Sequence, residues 1–169
     1  MGLYVAALLA GLAVMAGTLM STVRAAPLHP PIRPVSTTTI GSCTFKKTEY
    51  AAASSLDESS SEDFVNLGDA GSIAFTQSGT GCVAGTFFAN AGNSAPGDHV
   101  GLQVLLDGTP CAPLTDGYVF ADTESSSHSV GFFCGGGIAA GKHRIQVQYH
   151  SGFGGAVQFY QRILEVNHT

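Results

Sequence analysis

From Cys43 onward the chain breaks into short runs in which apolar residues alternate with small or polar ones, separated by Gly, Asp, Asn and Pro. Almost no stretch repeats apolar residues at i, i+3, i+4 and i+7, so the period is two and the elements are strands. The pattern predicts strands near 43–52, 63–67, 72–77, 82–90, 99–106, 118–122, 127–134, 143–150 and 157–166. Their spacing is typical of an all-β sandwich or barrel of about eight to ten antiparallel strands. The clearest alternations, Ile73/Phe75, Leu102/Val104/Leu106 and Ile145/Val147/Tyr149, place those side chains on one face and predict much of the core. Asp107-Gly108, directly after Leu105-Leu106, predicts a tight hairpin, because both residues tolerate positive φ.

Composition narrows the setting. The 169 residues carry a net charge of -5 with only 11% charged residues, and the length suits one domain with a true core. Lys46, Lys47, Lys142, Arg144 and Arg162 are scattered among carboxylates, which leaves no footprint for nucleic acid. Residues 3–20 hold no charge, and Val23-Arg24-Ala25 puts small or apolar residues where signal peptidase prefers them. Residues 1–25 therefore read as a signal peptide and the protein as secreted or periplasmic. Its first residues lack Lys and Arg, and an uncleaved N-terminal segment is the one route to a membrane. Pro27, Pro30, Pro31 and Pro34 make 26–41 an extended Pro/Thr-rich linker, which leaves 42–169 as the sandwich domain. Within it the acidic, serine-rich stretch 54–63 reads as a solvated loop.

Export also decides the cysteines. Cys43, Cys82, Cys111 and Cys134 pair in an oxidising compartment, and no CxxC spacing suggests zinc. Three connectivities are open; 43–82 with 111–134 is favoured because each bridge then joins elements near in the chain.

The densest basic run is Lys142-His143-Arg144 up to His150. On a strand, His143, Ile145, Val147 and Tyr149 share one face, and Lys142, Arg144, Gln146, Gln148 and His150 share the other. Lys142, Arg144, Gln146 and Gln148 are the surface-binding candidates. His143 and His150 lie on opposite faces, about 23 Å apart along the strand, too far to share a metal. Asp98-His99 places a carboxylate beside an imidazole, the kernel of a hydrolytic or cation-binding site if Asp122 or His128 converges on it. Ser125-Ser126-Ser127-His128-Ser129 lacks the strained elbow of a nucleophilic serine. Asp57, Glu58, Glu62 and Asp63 lack the spacing of a calcium loop. Gly135-Gly136-Gly137 and Gly154-Gly155 precede no helix, so they read as loop or bulge residues rather than phosphate cradles. Without tryptophan, Tyr50, Tyr118, Tyr149 and Tyr160 are left as sugar-stacking candidates.

The stretches GSIAFTQSGTGCVAGTFFANA, GLQVLLDGTPCAPL and SHSVGFFCGGGIAAGKHRIQVQYHSGFGGAVQFYQRILEVNH resemble a group of small secreted bacterial β-sandwich proteins of uncharacterised function. More distantly they resemble the jelly rolls of tumour-necrosis-factor and complement globular heads. The resemblance implies a ten-strand jelly roll, with a homotrimer as one option, and carries over no catalytic residue. The chain has no collagen-like stalk, a departure from the complement type. The leading expectation is an exported, non-enzymatic module without cofactor that binds an extracellular or cell-surface glycan or protein, or serves an extracellular assembly. The alternatives are a secreted hydrolase using Asp98 and His99 or a bound cation, and a homotrimeric structural module.

Overall fold

The computed structural model describes residues 43–113, 118–120 and 125–169. The expected signal and linker, and Asp122, lie outside the described residues. Eleven strands and no helix occur among the described residues: β1 Lys47–Ala53, β2 Asp57–Ser59, β3 Val65–Asn66, β4 Ser72–Gln77, β5 Gly81–Asn93, β6 Val100–Leu106, β7 Thr109–Pro110, β8 Tyr118–Phe120, β9 Ser126–Ile138, β10 Gly141–Ser151 and β11 Val157–His168. One sheet has the order β1-β11-β5-β9, with β2 also on β11; the other has β3-β10-β6-β7, with β4 on β10 and β8 on β6. Three short flanking pieces, β2, β3 and β7, lie beside eight strands that can be numbered in chain order. The first, eighth, third and sixth then make one sheet, and the second, seventh, fourth and fifth make the other. Every pair is antiparallel, and this is the jelly roll.

The alternation read from the sequence fills the space between the sheets. Ile73, Phe75, Leu102, Val104, Leu106, Ile145, Val147 and Tyr149 are all buried, and they meet Val83, Phe87, Val130, Phe132, Val157, Phe159, Leu164 and Val166 of the facing sheet. Tyr149 and Phe159 stack edge to face at 4.9 Å across the core. Burying each large apolar side chain contributes roughly 1.5–3 kcal/mol. Tyr149 is thus a core residue and not a sugar platform, which corrects that expectation. Burial first, then its bond to Asp57, pushes the phenol above its ordinary range, and its hydroxyl donates to Asp57 Oδ1 at 2.6 Å.

Asp57 also corrects the reading of 54–63 as a solvated loop. Residues Asp57–Ser59 pair with β11, and Asp57 Oδ2 accepts the Gly68 amide at 2.9 Å. The serine-rich composition hides a strand because its alternation is between polar residues, and an inward carboxylate is tolerated only where donors wait for it.

The Asp107-Gly108 hairpin forms as expected, with φ of 50° and 84° at its two central residues. The glycine cluster falls at the irregular end of β9, where Gly135 and Gly137 adopt positive φ opposite register shifts in β5. Cys43 is bonded to Cys82 and Cys111 to Cys134. The first ties the chain ahead of β1 to β5; the second ties the segment after β7 to β9, and so one sheet to the other.

The hairpin is held from β10. His143 Nδ1 lies 2.7 Å from Asp107 Oδ2, its Nε2 lies 3.0 Å from the Ala139 carbonyl, and Asp107 Oδ1 accepts the Arg144 amide at 2.8 Å. Both ring nitrogens face acceptors, so the arrangement suits the imidazolium. The bond to Asp107 raises the His143 pKa against the opposing effect of burial. Asp107 is lowered, its burial outweighed by the bonds from His143 and Arg144. The histidine contribution is complete below the ordinary value of 6.5 and fades as pH rises through the raised one. The aspartate contribution is complete above 3.8 and fades as pH falls through the lowered one. Urea midpoints measured across pH should therefore show wild type most stable relative to His143→Gln between pH 3.8 and 6.5, the gap closing as pH rises through the raised histidine pKa. A gap that does not change with pH would show that the pair is not ionised.

Candidate functional site

The site grows from one buried carboxylate. Asp98 is 3% exposed and sits in the loop between β5 and β6, facing the loop between β10 and β11. Its Oδ1 accepts the amides of His99 at 2.6 Å and Phe153 at 2.8 Å. Its Oδ2 accepts Asn93 Nδ2 at 3.0 Å, the Ser151 hydroxyl at 2.6 Å and the Gly155 amide at 2.9 Å. Burial alone would raise this carboxyl, but the bonds led by Ser151 outweigh it and hold the group far below the usual carboxylate range. Gly155 is obligatory, since a Cβ there would fall 2.2 Å from Asn93 Oδ1 and 2.6 Å from Asp98 Oδ2.

Clamping the two loops together aligns four rings on the outer side of the β10-containing sheet. Phe153 meets His99 edge-on with centroids 5.4 Å apart; His99 meets His150 at 6.0 Å, and His150 meets Phe64 at 4.5 Å. Two glycines form the shelves on which the imidazoles lie. A Cβ at Gly101 would come within 2.0 Å of His150 Nε2, and one at Gly152 within 2.0 Å of His99 Cε1. His150 Nδ1 donates to the Ser151 carbonyl at 3.0 Å, and its Nε2 lies over Gly101. At the end of the row Phe153 is 73% exposed, although its amide is fixed to Asp98.

This geometry stacks and hydrogen-bonds; it does not activate a base. His99 Nδ1 is 4.0 Å from Asp98 Oδ1, and the five donors already on the carboxylate exceed its roughly four lone-pair positions. Asp98 is a loop clamp where the sequence suggested a partner for His99. Ser126 and His128 share one face of β9 and bond at 2.7 Å. Among the described residues no group of three or more His, Cys, Asp and Glu is arranged to hold a metal ion.

Lys142, Arg144, Gln146 and Gln148 do share the outer face of β10, but three of them are engaged internally. Arg144 Nη2 donates to Ser72 Oγ and Gln146 Oε1, both at 3.1 Å. Gln146 Nε2 reaches the carbonyls of Leu67, Gly71 and Val147. Gln148 is threaded between Asn66 and Gln103 in a ladder of amides. His150, expected on that face beside them, is half-covered by Phe64 and His99. Tyr50 is 67% exposed, Tyr160 donates to Gln158, and the side chain of Tyr118 lies outside the described residues. Phe64 and Phe153 were not legible as site residues. The available signal was a phenylalanine set in Ser-Gly-Phe-Gly-Gly, where no strand can bury it.

No protein-family model matches the chain, and no curated protein sequence does. Among solved structures it is similar to the CBM36-1 domain of a multidomain xylanase from the hindgut metagenome of Trinervitermes trinervoides, with 9% identity, TM-score 0.39, 73% of this chain and 98% of that one covered. It is also similar to a family two carbohydrate esterase from Cellvibrio japonicus, with 19% identity, TM-score 0.28, and 73% and 34% of the two chains covered. A third similarity is to dimeric latent PorU from Porphyromonas gingivalis, with 11% identity, TM-score 0.40, and 76% and 14% covered. These matches do not show the finer likeness to tumour-necrosis-factor and complement heads.

If Asp98 is the clamp, Asp98→Ala leaves five donors without their acceptor. Urea unfolding at neutral pH should then show a loss of about 3 kcal/mol or more. The advantage of wild type over the variant should shrink as pH drops below 3.8 toward the depressed value. A loss under about 1 kcal/mol would mean that the loops hold without it.

Proposed function

We propose that the domain is an exported, non-enzymatic module that binds a neutral glycan through the row Phe64, His150, His99 and Phe153. The observation that carries this reading is Phe153, a large apolar ring 73% exposed yet anchored to the buried Asp98. A pyranose has an apolar carbon face and a rim of hydroxyls. Aromatic rings receive the first, and imidazole nitrogens exchange hydrogen bonds with the second. Anchoring the platform in advance lowers the entropy lost on binding.

A protein partner fits less well. Stable protein interfaces cover about 800 Å² per side around a buried apolar centre. Of the exposed large hydrophobics, Phe45, Tyr50, Leu56 and Ile163 belong to the β1-containing sheet or the segments flanking β1, and of the five Phe153 alone belongs to the row. A hydrolase built on Asp98 and His99 is disfavoured by the saturated carboxylate. Two disulfides fit an oxidising, extracellular or periplasmic setting.

The test is binding of the purified protein to an immobilised panel of neutral polysaccharides. Phe153→Ala should weaken retention about tenfold or more while leaving the thermal midpoint within a degree or two, because the ring is exposed. Equal retention by wild type and variant would sink the assignment, as would capture of a protein ligand alone.

A further inference from the structure

A second feature lies on the opposite sheet and is carried by different observations. Between Tyr160 and Ile163 the register of β11 against β5 shifts, and Gln161 there has φ of 43°. The neighbouring edge is interrupted at the same place: β1 ends by pairing Ala53 with Arg162, and β2 begins only opposite Phe159. The interruption leaves a shallow concavity of about 530 Å³ lined by Ala52, Ser54, Phe88, Gln161 and Ile163.

Its floor and rim differ in chemistry. Ala52, Ile163 and Phe88 are consecutive cross-strand partners and make an apolar row, with Ile163 46% exposed. Beside it runs a hydrogen-bond chain in which Ser127 Oγ donates to Asn90 Oδ1 and Asn90 Nδ2 donates to Gln161 Oε1, both at 2.7 Å. That chain uses the Gln161 oxygen and not its two amide hydrogens. Arg162 also borders the concavity, but its guanidinium is turned to Asp69 O, Phe159 O and Ser55 Oγ inside the protein. The lining therefore offers amides and hydroxyls and little charge.

Gln161 itself points to a ligand. Glycine would take φ of 43° without strain, whereas any side chain there is held at a cost. What glutamine supplies and glycine lacks is the amide above the apolar row. We propose that this concavity is a second saccharide site, which seats one ring of a neutral pyranose with its carbon face on Ile163, Phe88 and Ala52 and its hydroxyls on Gln161 and Ser54. This reading does not rest on the ring row. Together the two sites, on opposite sheets, make the domain bivalent and able to cross-link polysaccharide chains.

The experiment is backbone-amide NMR titration of the full protein with neutral gluco-, xylo-, manno- and galacto-hexaoses, with a galacturonate oligomer as acidic control. Wild type and Phe153→Ala should both show shifts at Asn90, Gln161 and Ile163 with a neutral sugar. Gln161→Gly, which relaxes the backbone and so keeps or raises the thermal midpoint, should weaken that binding about tenfold. Shifts confined to Phe153 and His99 overturn the second site and leave the first. Shifts confined to the bulge do the reverse, and none anywhere removes both. Undiminished binding by Gln161→Gly, or binding of the acidic oligomer alone, also overturns the assignment.

Discussion

A sandwich strand must keep one parity of side chains inward along its whole length, because the period of an extended chain is two. β11 meets this constraint only by breaking it once. It sends Val157 and Phe159 inward, then Arg162, Leu164, Val166 and His168, so the inward set passes from odd to even at the bulge. As the strand to which β1, β2 and β5 all pair, it fixes the parity of its sheet. The change of parity places a guanidinium in the interior, where Asp69 O, Phe159 O and Ser55 Oγ receive it. A buried cation is tolerated because each acceptor is already in place.

Asp98 solves the corresponding problem at the end of the sandwich. Loops between sheets expose backbone donors, and donors buried without acceptors are costly. One ionised carboxylate gathers three backbone amides, a hydroxyl and a side-chain amide, and so pins two connections to each other. The rings above it are ordered as a by-product of satisfying the backbone beneath. Function on this scaffold uses what the fold had to rigidify anyway.

The legible parts of the sequence were those governed by local periodicity. Ile145, Val147 and Tyr149 alternate without interruption, and Asp107-Gly108 names its own turn, so both followed from neighbours in the chain. Asp57–Ser59 was lost because a strand of polar residues carries no hydrophobic period, and its inward carboxylate depends on Tyr149, distant in the chain. The role of Asp98 was invisible for the same reason: four of its five partners are not its neighbours in sequence. The outer face of β10 was read correctly as a face. Its occupancy by Ser72, Leu67 and Asn66 could not be read, since period two says where a side chain points and not what it meets.

The course of the strands has a further consequence for how the domain is displayed. Lys47 pairs with His168 at one end of β11, while the loops carrying Phe153 and His99 leave from the other end, beside Val157. Twelve residues of β11 separate the two ends, about 35 Å at about 3.3 Å per residue. Cys43, the first described residue, is pinned by its disulfide to Cys82 at the end remote from Phe153 and His99. The two ends of the sandwich thus divide the work, one locked covalently and the other presenting the exposed ring.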